Sequence, residues 1–185
     1  FPWESAWLDD GEVTPVWGAA DIITGLPTKI WSGFIEQHIT ADVAYGVWQY
    51  YMVTGDQDYM DRYGYELLMD TAIFWASRLE WSEENRMYHI NDVVGPDEYK
   101  EHADDNAYTN YMAHWNLGIA ITYYEDLKEH HIDIFERLNA KMGLDAACRI
   151  WRERRPLIYL PQPRKEDLVI PQDANYLSYP VIDLT

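Results

Sequence analysis

The sequence predicts an all-α protein. Three observations carry that expectation. Apolar residues recur every three to four positions over several long stretches, glycine and aspartate punctuate the ends of those stretches, and β-like patterning is confined to a short excursion through Met87, His89 and Ile90. Long helices joined by loops make helical hairpins, and the loops at hairpin ends are left to carry unusual residues.

Residues 1–34 read as loop, because Pro2, Gly11, Pro15, Gly18, Gly25, Pro27 and Gly33 recur too often for a long element. Trp3, Trp7, Trp17 and Trp31 punctuate it. Aromatic residues in a long irregular loop are either pinned into a core or presented to a ligand. The stretch "IEQHITADVAYGVWQYYMVTG" (35–55) predicts a helix with Ile35, Ile39, Val43, Val47 and Tyr50 on one stripe and Gly55 at its end. Asp56 caps a second helix reaching Trp81, whose stripe runs Met60, Tyr63, Leu67, Thr71, Phe74 and Leu79, with Gly64 tolerated inside it at a modest cost. Residues 82–96 form a turn and the short β-like excursion. A third helix runs from near Asp105 to about Lys128, with Tyr108, Tyr111, Trp115, Ile119 and Tyr123 on one side, most of them assigned to packing between helices. "DIFERLNAKMG" and "LDAACRIWRERR" are two shorter helices. Gly143 stops the first, and Arg152, Arg154 and Arg155 complement the C-terminal dipole of the second before Pro156. Residues 156–185 are proline-punctuated loop. No sequence repeat or low-complexity segment is present; what repeats is long helix, loop, long helix.

Bulk properties remove several function classes. With 32 acidic against 14 basic residues the formal charge is −18, which repels phosphate backbones and anionic bilayers and argues against nucleic-acid and membrane-surface partners. A single cysteine, Cys148, excludes an internal disulfide framework and a thiolate zinc cluster, and its amphipathic surroundings predict a buried thiol. No stretch approaches the roughly 18 continuous apolar residues of a membrane span. Nine Trp and fifteen Tyr suit either a large helical core or the wall of a polar-ligand site. His38 and Asp42, one helical turn apart, lack a third ligand at a convincing spacing and read as a polar face rather than half a metal site. His102, Asp104 and Asp105 lack the alternation and glycine of a calcium loop. No metal and no cofactor are expected. The abrupt opening at "FPWES", without Met, suggests a fragment or a processed piece.

The stretch most able to do chemistry is "DVVGPDEYKEHADDNAYTN" (92–110). A Gly-Pro pair fixes the backbone, so the carboxylates of Asp97 and Glu98 that follow are held on a rigid bend. Adjacent charges repel, and repulsion with partial burial among aromatics raises the pKa of one carboxyl group. A carboxylic acid that keeps its proton near neutral pH is what glycosidic cleavage needs, because the departing oxygen must be protonated. The alternative is a solvated acidic turn.

Several segments together resemble glycoside hydrolase family 65, the disaccharide phosphorylases and related inverting α-glucosidases. "GPDEY" and "DNAYTN" are similar to that family's most recognisable pair; "FPWESA" with "GEVTP" resembles its substrate loop, "EQHITADVAY" with "YYMVTGD" its next helix and turn, and "YGYELLMDTAIFWASRLEW" the helix before the acidic motif. The likeness is close over about residues 1–125 and looser beyond.

The resemblance implies part of an (α/α)6 barrel, a toroid of helical hairpins, with residues 1–185 an incomplete central segment of one catalytic domain. It implies inverting phosphorolysis of an α-linked glucose disaccharide to β-glucose 1-phosphate and a sugar, with Glu98 as the single general acid and inorganic phosphate as co-substrate. Trp3 and Glu4 are implied to line sugar subsites, Lys29 and Trp31 to recognise the leaving sugar, and Asp97, Tyr99 and Asn106 to belong to the same wall. Maltose fits less well than kojibiose, trehalose or nigerose. The family's phosphate site lies further toward the C-terminus, so the segment alone is expected to be inactive. A cytoplasmic full-length protein is expected, with a homodimer as one option. Two rivals stay open: an inverting hydrolase of the same family, and a non-catalytic all-α carbohydrate-binding module.

Overall fold

The computed structural model describes residues 1–7 and 9–180, and it divides into two compact units. The first comprises Phe1–Ile39, Ile90–Thr109 and Leu160–Thr185; the second comprises Thr40–His89 and Asn110–Tyr159. The last five residues of the expected loop tail lie outside the described residues. Helices dominate, as predicted, and no helix is long and apolar enough to cross a membrane among the described residues.

Helices α2 (Ile39–Thr54), α3 (Gln57–Tyr59), α4 (Tyr65–Arg78), α5 (Ala107–His130), α6 (Ile132–Met142) and α7 (Leu144–Arg154) supply most of the second unit. The buried side of α2 is Thr40, Ala41, Ala44 and Val47 rather than the expected Ile39–Val43–Val47–Tyr50 stripe; Tyr50 is exposed. Small side chains let a neighbouring helix approach closely, and the large ones pack on the flank, where Tyr45 and Trp48 meet Trp115 edge-on at 5.2 and 5.7 Å. Trp115 and Tyr123 therefore pack between helices as expected, Tyr123 against Tyr51 and Tyr65, and burial pushes the Tyr123 phenol up to about 12. Tyr108 and Tyr111 do not follow; both are exposed. The buried face of α5 runs instead through Ala113, Asn116, Leu117, Ala120 and Leu127.

The second predicted helix is broken by a π-helical turn at Met60–Gly64. One extra residue in a turn rotates everything after it by about 100°, so Tyr65, Leu68, Met69, Ala72 and Trp75 are buried while Tyr63 is half exposed. Gly64 is more than tolerated. A Cβ there would stand 2.3 Å from Met60 Sδ, and Met60 is fully buried. After Leu79 the chain makes the expected β excursion as an antiparallel pair, β3 (Glu80–Ser82) and β4 (Met87–His89).

The arginine cluster ties helix ends together. Arg152 bonds Glu125 at 2.5 Å, Arg154 donates to the Ala76 carbonyl at 2.6 Å, and Arg155 to the His114 carbonyl at 3.1 Å. Cys148 is buried, and burial pushes its thiol up. Where α5, α6 and α7 meet, Asp145 accepts from Tyr124 Oη (2.6 Å), Lys128 Nζ (2.9 Å) and Asn139 Nδ2 (3.0 Å). The Tyr124 and Lys128 hydrogen bonds hold its carboxyl below the ordinary 3.8. A depressed folded pKa contributes stability that is present above the unfolded value and is lost as pH falls through the folded one. Asp145→Asn should therefore flatten the acid limb of a thermal-stability profile below about pH 4, leaving the neutral region's pH dependence unchanged.

The first unit is mostly loop, but residues 1–34 are not wholly so. Strands β1 (Trp17–Ala20) and β2 (Pro27–Lys29) pair antiparallel, and a one-turn helix α1 (Ser32–Ile35) follows. Strands of three and four residues are too short to leave a periodic signal. Beyond them, Val93 and Ala103 exchange backbone hydrogen bonds at 3.0 and 2.8 Å, which closes a neck around residues 94–102.

Candidate active site

The neck presents the Gly95–Tyr99 bend. Gly95 is obligatory at its base: an added Cβ would fall 2.3 Å from Asn106 Nδ2. Asn106 is buried. Its Oδ1 accepts from Thr109 N and Thr109 Oγ1, both at 3.1 Å, which satisfies a free donor at the start of α5. Its Nδ2 donates to the Gln172 carbonyl at 3.3 Å. Asp97 grips the same residue from the bend, accepting from Gln172 Nε2 at 3.1 Å while its other oxygen accepts from Tyr99 N at 3.2 Å. Asp97 and Asn106 thus act as two clamps on Gln172.

Glu98 and Tyr99 are exposed, and Glu98 has no partner among the described residues. The expected burial of Glu98 among aromatics is missing from this chain, and Asp97 is turned to Gln172 instead of forming an isolated acid pair. An open hollow of about 430 Å³ borders Pro96–Tyr99, and a second of about 250 Å³ is lined by Pro96, Asp97, Asn106, Tyr108 and Gln172. Glu98 faces space in which a ligand could meet it.

The other predicted residues form two aromatic groups in the same unit. Trp3, half-buried, meets His38 edge-on at 5.9 Å, and His38 meets Tyr108 edge-on at 5.5 Å. His38 Nε2 lies 3.1 Å from Glu36 Oε1, with both residues buried and Glu36 Oε2 unpartnered among the described residues. Glu4 is exposed beside Thr14, whose hydroxyl is 3.4 Å from its carboxylate. In the second group the Lys29 ammonium stands 3.5 Å above the Trp31 ring and 4.6 Å from Phe34. Trp31 packs edge-on to His102 at 4.3 Å, and His102 Nδ1 is 2.5 Å from Asp92. Lys29 and Trp31 are brought together, with one face of the indole taken by the ammonium.

Sequence reasoning missed Glu36, Gln172 and Glu12. The Glu-x-His spacing of "EQH" was the available signal for Glu36, and the likeness of "GEVTP" to the family's substrate loop the one for Glu12; nothing local marked Gln172. Among the described residues no group of three or more His, Cys, Asp or Glu could hold a metal ion.

Comparison with known proteins places the chain in a family. The model of the "glycosyl hydrolase family 65 central catalytic domain" matches residues 1–185. The chain is 49% identical to a kojibiose phosphorylase of Halothermothrix orenii over 187 residues, covering 100% of this chain and 24% of that protein. It is 45% identical to a kojibiose hydrolase of Flavobacterium johnsoniae over 121 residues, 65% of this chain and 16% of that protein. A solved structure described as a putative kojibiose phosphorylase from human microbiome superposes with a TM-score of 0.74 at 22% identity, covering 86% of this chain and 22% of the other; this likeness shows the fold. The chain spans a quarter or less of the length of the curated relatives it matches.

Proposed function

The chain belongs to glycosyl hydrolase family 65, within its central catalytic domain, and from that premise we propose that it carries the general acid of an inverting disaccharide phosphorylase acting on kojibiose. Its helical hairpins form part of an (α/α)6 barrel. The observation that carries this reading is the likeness along the whole chain to a kojibiose phosphorylase, joined to a Glu98 that has no partner among the described residues and stands on a clamped bend bordering an open hollow.

Glu98 hands its carboxyl proton to the glycosidic oxygen as the bond from that oxygen to the anomeric carbon breaks. A phosphate oxygen attacks the same carbon from the opposite face, giving β-glucose 1-phosphate and a free sugar, and solvent later returns a proton to the Glu98 carboxylate. Phosphate is already an anionic nucleophile, so no general base is required. Trp3 stacks on the apolar face of the glucose ring and Glu4 binds its hydroxyls; Lys29 and Trp31 meet the leaving sugar. Asp97 and Asn106 act through the bend they hold, and Tyr99 flanks it. The water exclusion that lets an acid keep its proton is contributed on this reading by the rest of a full-length chain, and so is the phosphate site.

The hydrolase reading has its own support in the kojibiose hydrolase relative. An inverting hydrolase needs a second carboxylate to activate a water. Titrating phosphate against a full-length enzyme separates the two. Glucose 1-phosphate should rise with phosphate to saturation, and no cleavage should occur without it. Cleavage at full rate in phosphate-free buffer, yielding two free sugars, would make the enzyme a hydrolase.

A further inference from the structure

Trp3 and Glu4 lie in a stretch with no helix or strand among the described residues before Trp17. Its backbone donors need acceptors from elsewhere, and one carboxylate gathers them. Glu12 Oε2 accepts from the Trp3 amide at 2.6 Å and shares the Glu4 amide with Oε1, at 3.3 and 3.2 Å. Glu12 Oε1 also accepts from the Thr14 amide at 3.0 Å and from Thr14 Oγ1 at 2.5 Å. Val13 N completes the ring by donating to the Glu4 carbonyl at 3.0 Å. The Glu12 stem lies against the α1 backbone, where a Cβ added at Gly33 would stand 3.1 Å from Glu12 Cγ.

We propose that Glu12 is a positioning residue for the sugar subsite: its carboxylate holds the Trp3 and Glu4 backbone so that indole and carboxylate face the glucose unit, without touching the sugar itself. The inference deepens the proposed function and rests on it. Charge-assisted hydrogen bonds from amides to a carboxylate are short and directional, which suits an irregular segment that must present two side chains in fixed register. Partial burial works against the charge, but the bonds from Thr14, Trp3 and Glu4 outweigh it and hold the carboxyl below its ordinary range.

A neutral isostere cannot do the same work. Both Glu12 oxygens accept, so either orientation of a glutamine amide turns an NH2 toward a backbone N–H. In the full-length enzyme Glu12→Gln and Glu12→Ala should each raise the KM for kojibiose roughly tenfold, while kcat and the KM for phosphate stay near wild type and the melting temperature falls only slightly. Glu12→Gln, equal in size, keeps the test open if the alanine variant folds poorly. An unchanged disaccharide KM in both variants overturns the proposal, and so does a parallel loss for both substrates accompanied by a much lower melting temperature. Glu98→Gln run alongside separates the two claims. If that variant is inactive while the Glu12 variants bind normally, only the positioning role fails; if it turns over normally, the catalytic reading beneath it fails.

Discussion

Replacing Glu98 by Gln in the full-length enzyme should lower kcat on kojibiose by roughly 10²–10⁴-fold, the range typical of losing a positioned proton donor. Glutamine keeps the size of the side chain and its capacity to meet a sugar oxygen, but it has no proton to give. KM should move far less, because the lost interaction belongs to the transition state and not to the bound ground state. The fold should be indifferent. Glu98 is exposed with no partner among the described residues, and the clamps on the bend belong to Asp97, which keeps Gln172 and the Tyr99 amide. Steady-state kinetics with a melting curve on the same sample checks both halves of the expectation.

Asn106→Ala should destabilise the fold by about 1–3 kcal/mol. The change removes the cap on α5 and leaves the buried Thr109 amide and hydroxyl without their acceptor, while the Gln172 carbonyl keeps the Ala107 amide at 2.8 Å. Asn106 is 2% exposed, so water does not readily replace it. The contact with Gly95 makes the change informative twice over. Gly95→Ala alone drives a methyl into the Asn106 amide, 2.3 Å away, and should be severe. Built on Asn106→Ala the same methyl no longer meets that amide, so the double variant should be more stable than the sum of the single losses predicts. Denaturant titration of the three variants measures that coupling, and simple additivity would show that the two residues do not contact.

Much of the helical architecture was legible because it is written in local periodicity. The ends of α2 and α5 and the break at Gly143 fall within a few residues of where the spacing put them. The buried faces were less legible. No pattern of apolar residues announces a π-helical turn, and the inserted residue at Met60–Gly64 changed which side chains of α4 face inward. On α2 the seam is made of small residues, which hydrophobic stripes overlook. At the site, the chain likeness pointed to Glu98 and the Gly-Pro bend suggested rigidity, but the devices that supply rigidity span large sequence distances. Asp97 reaches Gln172 across 75 positions, and Asn106 reaches it across 66. Gln172 stands in a proline-rich tail with nothing to mark it. Glu36 and Glu12 failed to stand out for another reason: in a chain with 32 acidic residues, a carboxylate that binds backbone amides or a buried histidine looks like any other until its partners are seen.

The claim that everything else depends on is that Glu98 delivers a proton to the departing sugar, and α-glucosyl fluoride tests it most directly. Fluoride leaves as an anion and needs no proton, so the acid becomes dispensable while the phosphate attack is retained. The account predicts that Glu98→Gln, nearly dead on kojibiose, releases fluoride in the presence of phosphate at close to the wild-type rate. Equal loss on both substrates, or full activity on both, would contradict it.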